Sequence, residues 1–209
     1  MKQTEAEKAL SRSQQRRRDD IIQAALKVFE ERGFQAAKMA EIAEQADVAK
    51  GTLYLYFDNK ASLMEGVIEA SIAPSLHQIA VVADEHDGSA SELLKQQIKI
   101  AARRMASREM KILLRHMISN GSQSSEIISA YHDNVLKKGV ELFRQTLKLG
   151  VETGEFRKEM ANVDPLVLVG GHVYMAVWKL LFEDISPIDV DALVEDHLEI
   201  ILNGLLSPK

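Results

Sequence analysis

An all-α fold of about nine helices is predicted for this 209-residue chain by three features of its pattern. Apolar residues recur at i, i+3, i+4 and i+7 through most of its length, no stretch alternates as a half-buried strand would, and polar breaks separate the periodic runs. The organisation divides into a flexible basic arm over residues 1–15, a helix-turn-helix unit over 16–62 with its motif at about 40–59, and a C-terminal helical domain over 63–209.

Arg12, Arg16, Arg17 and Arg18 lead into the first helix. Such an arm can follow a phosphate backbone or enter a narrow minor groove, where negative potential is concentrated. The net charge of −5 looks unsuited to a nucleic-acid partner until it is divided along the chain. Residues 1–60 carry 11 Lys and Arg against 10 Asp and Glu, so the acidic excess lies in the remainder. Local charge decides what a surface attracts.

Met39, Ile42, Ala43 and Ala46 fall on one face of a short second helix, which they pack inward. A turn follows at Ala46-Asp47-Val48, where Asp47 occupies a position that needs a positive φ. From Ala49 a third helix runs to about Phe57, with Leu53 and Phe57 facing the core. Residues 53, 54, 56 and 57 span most of a helix circumference, so they cannot all be core and part of Tyr54-Leu55-Tyr56 faces outward. Lys50 is a cation in the first turn, Gly51 admits close approach to the backbone, and Thr52 offers a hydroxyl and a methyl to base edges. Tyr54, Tyr56 and Lys60 suit phosphate oxygens. These groups predict a helix built to enter a DNA groove.

Ile21-Ile22, Leu26 and Phe29, the stop at Gly33-Phe34, Met39-Ala40-Glu41-Ile42-Ala43 and the run Lys50-Gly51-Thr52-Leu53-Tyr54-Leu55-Tyr56-Phe57 with Lys60 together resemble the DNA-binding domain of the tetracycline-repressor (TetR) family. The resemblance implies a homodimer on a palindromic operator, a divergent helical domain that receives a small effector, and a dimer interface made by the last two helices. Five positions depart from the family's pattern. Ala37 and Lys38 stand where a phosphate-touching Ser or Thr is common, and Lys38 can replace that contact with charge. Asp47 replaces the usual turn Gly, Ala49 a capping Ser, and Leu55 a frequent His, which predicts an apolar contact with a thymine methyl. The departures bear on operator sequence.

Leu63, Val67, Ile68, Ile72 and Leu76 begin a fourth helix from Lys60 to about Val82, which Pro74 is expected to kink or interrupt. It joins the two parts of the chain and is the candidate lever between them. After the polar break Asp84–Ser89, Ser89 or Ser91 caps a fifth helix, and a sixth covers about 108–119, ending near Gly121. A long seventh opens at Ser124 or Ser125 and ends at Thr153-Gly154. Asp164-Pro165 opens the eighth, and a ninth spans about 189–206. The last two are apolar on more than one face, as helices packing both inward and against a partner would be.

A ligand pocket among helices five to eight would draw on Ile98, Met105, Leu114, Met117, Tyr131, Val135, Tyr174, Met175, Trp178 and Phe182, with His116, His132 or His172 as polar contacts. Methionines there suit an adaptable apolar effector. The absence of cysteine excludes disulfides, thiolate zinc sites and thiol switches. No cofactor or metal is expected: none of the six histidines has a Glu three positions before it, and no phosphate-binding Gly loop or nucleophile elbow is present. An enzyme is therefore disfavoured. The polar start and the lack of an 18-residue apolar run predict a cytoplasmic protein without a membrane partner. The reading is a transcriptional repressor that binds double-stranded operator DNA and is released by a small apolar effector. The alternative is a ligand-independent architectural or cell-division factor that uses the same dimer.

Overall fold

The computed structural model describes residues 11–120 and 125–206. The described residues form helices α1 (Arg12–Ala36), α2 (Met39–Gln45), α3 (Lys50–Tyr54), α4 (Lys60–Glu85), α5 (Ala90–Met105), α6 (Arg108–Asn120), α7 (Ser125–Tyr131), α8 (Lys137–Glu152), α9 (Leu166–Phe182) and α10 (Val190–Leu205). A π turn, His132–Leu136, joins α7 to α8 in one continuous run, and a 3-10 turn occupies Lys158–Asn162. The predicted all-helical architecture is what the chain adopts. The described residues divide into two compact units between residues 70 and 71.

In the first unit the core comes from Ile21, Ile22, Ala25, Leu26 and Phe29 of α1, Ile42 and Ala43 of α2, Leu53, Phe57, and Leu63, Met64, Val67 and Ile68 of α4. Ser11 caps α1 in a reciprocal box: its Oγ accepts from Gln14 N and its own N–H donates to Gln14 Oε1. Helix therefore starts at Arg12, and residues 12–15, expected in a flexible arm, are ordered instead. Residues 1–10 of that arm lie outside the described residues. Gly33, at φ 74°, breaks the helical path near the end of α1, a conformation that glycine adopts without a Cβ penalty.

In the second unit Leu94 and Ile98 of α5, Phe143 and Leu147 of α8, Phe156, Leu168 and Met175 of α9, and Val194 and Leu198 of α10 form the core. Gly150 is required where α8 passes Phe156, because any Cβ there would overlap the ring. The chain then turns at Gly154, φ 78°, and Glu155 reaches the start of α5, accepting from Ala90 N at 2.7 Å and Ser91 N at 3.2 Å. Ser89, Asp164 and Asp189 each accept a backbone N–H at the start of α5, α9 and α10 respectively. The expected boundary residues Gly121 and Ser124 lie outside the described residues.

α4 departs from expectation twice. Pro74 lies within a helix that continues to Glu85. One 18-residue window of α4 also reaches a mean hydropathy of 1.3, enough by length and composition to cross a bilayer, which corrects the expectation that no such run exists. Leu63, Met64, Val67, Ile68 and Ile79 of this helix are nonetheless buried in protein.

Candidate nucleic-acid interface

The turn between α2 and α3 forms as its residues require. Asp47 has φ 53° and is the only described non-glycine residue with a positive φ. Around it Ala46 N donates to Ile42 O at 2.9 Å and Val48 N to Ala43 O at 3.0 Å, which closes the end of α2. Helix α3 is shorter than predicted, ending at Tyr54, although Phe57 N still donates to Leu53 O at 3.1 Å. Leu53 and Phe57 are buried and seat the helix on the core.

The opposite side of α3 is open. Lys50 and Gly51 are exposed, Tyr54 is 40% and Leu55 84% exposed, and Thr52 and Tyr56 are half-buried. No atom lies within 4 Å of where a Gly51 Cβ would stand, so this glycine leaves a bare stretch of backbone at the surface. Lys50 Nζ sits 5.9 Å from the Tyr54 ring centre, which holds the cation over the face of the phenol. An apolar side chain as exposed as Leu55 loses free energy in water, and a contact with a partner such as a thymine methyl would recover it. Lys38 is exposed at the start of α2, where Glu41 Oε2 accepts from its backbone N–H at 3.2 Å.

The remaining cations divide into two groups. Arg12, Arg16 and Arg17 line an open groove on α1 with Ser13 and Asp20, and both Arg16 and Arg17 are exposed. Arg18 points the other way. Its Nη2 bonds Glu69 Oε2 at 2.7 Å and its guanidinium lies 5.4 Å from the Phe57 ring centre. Lys60 is also engaged internally, donating to Gln35 O at 2.8 Å and Ala37 O at 3.0 Å while standing 4.8 Å from the Phe34 ring centre. Partial burial lowers its pKa. Arg18 and Lys60, expected at phosphates, thus tie the first half of α4 to α1 and to the segment that follows it. Both cations already have partners within the first unit.

Two apolar hollows lie in the second unit, and the expected ligand residues split between them. The first, about 110 Å³, takes Met105, Tyr131 and Val135 from the predicted set, joined by Leu76 and Ile79 of α4, Arg104, Phe143, Val169, His172 and Val173. The second, about 400 Å³, runs between α9 and α10 and takes Tyr174, Met175 and Trp178 together with Leu193 and Ile200. Ile98 is fully buried in the core, Leu114 and Met117 line neither hollow, and Phe182 packs on Trp178 at 4.9 Å between ring centres. None of these four lines either hollow, because helical spacing fixes a face without telling core from cavity. Of the histidines, His132 is exposed beside Asp133, His116 is buried away from both hollows, and His172 lines the first. Burial, aided by the adjacent His197 at 5.0 Å between ring centres, lowers the pKa of His172 to about 4.

Sequence reasoning missed Arg104. Its side chain is 16% exposed, its Nη1 lies 3.5 Å from Glu109 Oε2, and burial lowers its pKa against the opposing pull of Glu109 and Tyr131. Tyr131 in turn has its pKa raised by burial, partly offset by the Arg104 charge. A charged residue at the inner end of an amphipathic helix was the available signal. The π turn beside Tyr131, where Lys137 N donates to His132 O, left no mark in the sequence.

Residues 21–67 match the family model described as bacterial regulatory proteins, tetR family. That span contains the buried base of the helix-turn-helix and the open side of α3. The chain thus carries the DNA-binding domain of the TetR family. It is a DNA-binding transcriptional regulator. Over most of its length it is similar to the HTH-type transcriptional regulator TtgR of Pseudomonas putida, 28% identical over 196 residues that cover 90% of this chain and 92% of the relative. The curated relatives that align over most of this chain are matched over 65% to 93% of their own length. Among solved structures, FadR of Bacillus subtilis in complex with stearoyl-CoA superposes with a TM-score of 0.71 at 23% identity, covering 89% of this chain and 98% of that one. A regulator of Saccharomonospora viridis in complex with choline gives 0.77 at 14% identity, covering 93% and 100%. At these identities the likeness is one of fold.

Proposed function

We propose that this TetR-family chain is a ligand-responsive repressor that binds a palindromic operator as a homodimer and is released by a small effector. The observation that carries the DNA contact is the open side of α3, where Lys50, Gly51, Thr52, Tyr54 and Leu55 stand out from a base of buried Leu53 and Phe57. Arg16, Arg17, Lys38 and Tyr56 supply the flanking contacts to phosphate. One such helix reads few base pairs, and two symmetric copies read half-sites a helical turn or a multiple of it apart.

The exposed apolar surface of α9 and α10 supports the dimer. Leu166, Val167, Tyr174 and Leu181 on α9 and Ile200 on α10 are between 46% and 73% exposed, more apolar surface than two helices ordinarily leave in water. A second copy packed there would cover it. Effector response is supported by the 110 Å³ hollow and by α4, one continuous helix that carries Lys60 at its start and hollow-lining Leu76 and Ile79 further on. A ligand acts only through different affinity for the DNA-competent and incompetent arrangements, typically about 1–3 kcal/mol per site.

Gel-shift of the full chain on DNA flanking its own gene, with the complex mass read by light scattering, tests the reading. Protection of a palindrome by a dimer is expected. A monomer on DNA, or indifference to such fragments at low salt, would overturn it.

A further inference from the structure

The hollow bounded by α4 to α9 is almost wholly apolar, and Arg104 is the one charged side chain on its wall, since His172 is held neutral. Glu109 engages only Nη1, at 3.5 Å. Nε and Nη2 are buried and have no partner among the described residues. Those two atoms form the side-on edge of a guanidinium, whose parallel N–H groups match the two oxygens of a carboxylate. Leaving such donors dry and unpaired is costly, and a ligand oxygen is the natural way to satisfy them.

We infer that the hollow binds a small amphiphile, its carboxylate clasped by the Nε/Nη2 edge of Arg104 and its alkyl chain lying against Leu76, Ile79, Val135, Phe143, Val169 and Val173. The inference rests on the effector reading above and names the chemical class. Fold alone does not set the head group, because the structural neighbours hold ligands of opposite character, an acyl-CoA in one and choline in another. This chain's own arginine does. Size follows from volume: about 110 Å³ accepts roughly seven to eleven waters at about 10–15 Å³ each, the room of an eight-carbon acid. Tyr131, on the same wall and within the influence of the guanidinium charge, closes the polar end.

The test is calorimetric titration of the full chain with octanoate, octyl phosphate, 1-octanol and octyltrimethylammonium, repeated on Arg104→Gln and Arg104→Lys. Octanoate should bind about 10- to 100-fold more tightly than octanol, the effect of a charge-assisted bidentate pair, and the quaternary ammonium more weakly still. In Arg104→Gln the acid should fall to the affinity of the alcohol while the alcohol stays unchanged. Arg104→Lys should recover part of the preference. Because octanol binding is measured on the same variants, misfolding is separated from removal of the head-group interaction. The order of octanoate and octyl phosphate assigns the anion: a carboxylate preference supports the inference, and tighter phosphate binding corrects the head group. Equal binding of octanoate and octanol by the unaltered chain would overturn the inference while leaving the effector reading intact. Failure of all four probes to bind would overturn both. Binding of octanoate without release of DNA would uphold the head group and sink the gating.

Discussion

His172 makes the stability of the second unit depend on mild acid in a way that can be worked through. Its imidazole is fully buried on α9, neither ring nitrogen has a partner among the described residues, and its folded pKa lies near 4 against 6.5 for the free side chain. A histidine with a depressed pKa resists protonation when folded. The unfolded chain therefore binds the proton first as pH falls below 6.5, and the stability contributed by the neutral ring is lost progressively until pH approaches 4. A gap of about 2.5 pKa units corresponds to about 3 kcal/mol in full, of which about 2–3 kcal/mol is lost by pH 4.5. Urea unfolding of the native chain and of His172→Leu at pH 7.5 and 4.5 measures it, the variant cancelling the titration of every other group. The variant should lose about 2–3 kcal/mol less than the native chain over that interval. Parallel losses would refute the buried, neutral imidazole.

Three further outcomes are expected. Lys60→Met should destabilise the N-terminal unit by about 1–2 kcal/mol in thermal unfolding, because two backbone carbonyls lose a charged donor. Arg17→Gln should reduce the slope of log K against log salt by about one, the share of a single neutralised phosphate, whereas Arg18→Gln should lower the melting temperature with the slope unchanged. Gly150→Ala should cost about 1–3 kcal/mol in urea unfolding, since the new methyl overlaps the Phe156 ring.

Much of this chain was legible because its elements are specified locally. Asp47 announces its positive φ, Ser89, Asp164 and Asp189 announce helix starts, and the spacing of Leu53 and Phe57 against Tyr54 and Leu55 separates the seated side of α3 from the open one. The tasks of the cations were not legible. Arg16, Arg17 and Arg18 are identical letters in a row, yet a 100° step per residue carries Arg18 to Glu69, 51 positions away in sequence, while its neighbours stay in solvent. Lys60 likewise finds acceptors only because α1 ends beside it, and backbone carbonyls leave no signature in composition. Ile98 and Met105 share the pattern of α5, but one fills the core and the other lines the hollow. Periodicity cannot distinguish a side chain that meets protein from one that meets space.

Helix α9 explains why a nearly uniform apolar run was hard to apportion. Leu168, Met175 and Ala176 pack into the protein, Val169 and Val173 face the hollow with His172, and Tyr174, Trp178 and Leu181 border the α9–α10 surface assigned to a second copy. Three environments around one helix require an apolar residue at almost every position, so the amphipathic stripe that would mark each face disappears. The same arrangement has a mechanical consequence. Under the proposed function, a ligand that pressed on Val169 and Val173 would push on the helix whose neighbouring residues form the proposed subunit contact, so occupancy and dimer geometry would be biased through one helix. Coupling of this kind is reciprocal: DNA that favours one dimer geometry must change effector affinity by the same factor that effector changes DNA affinity.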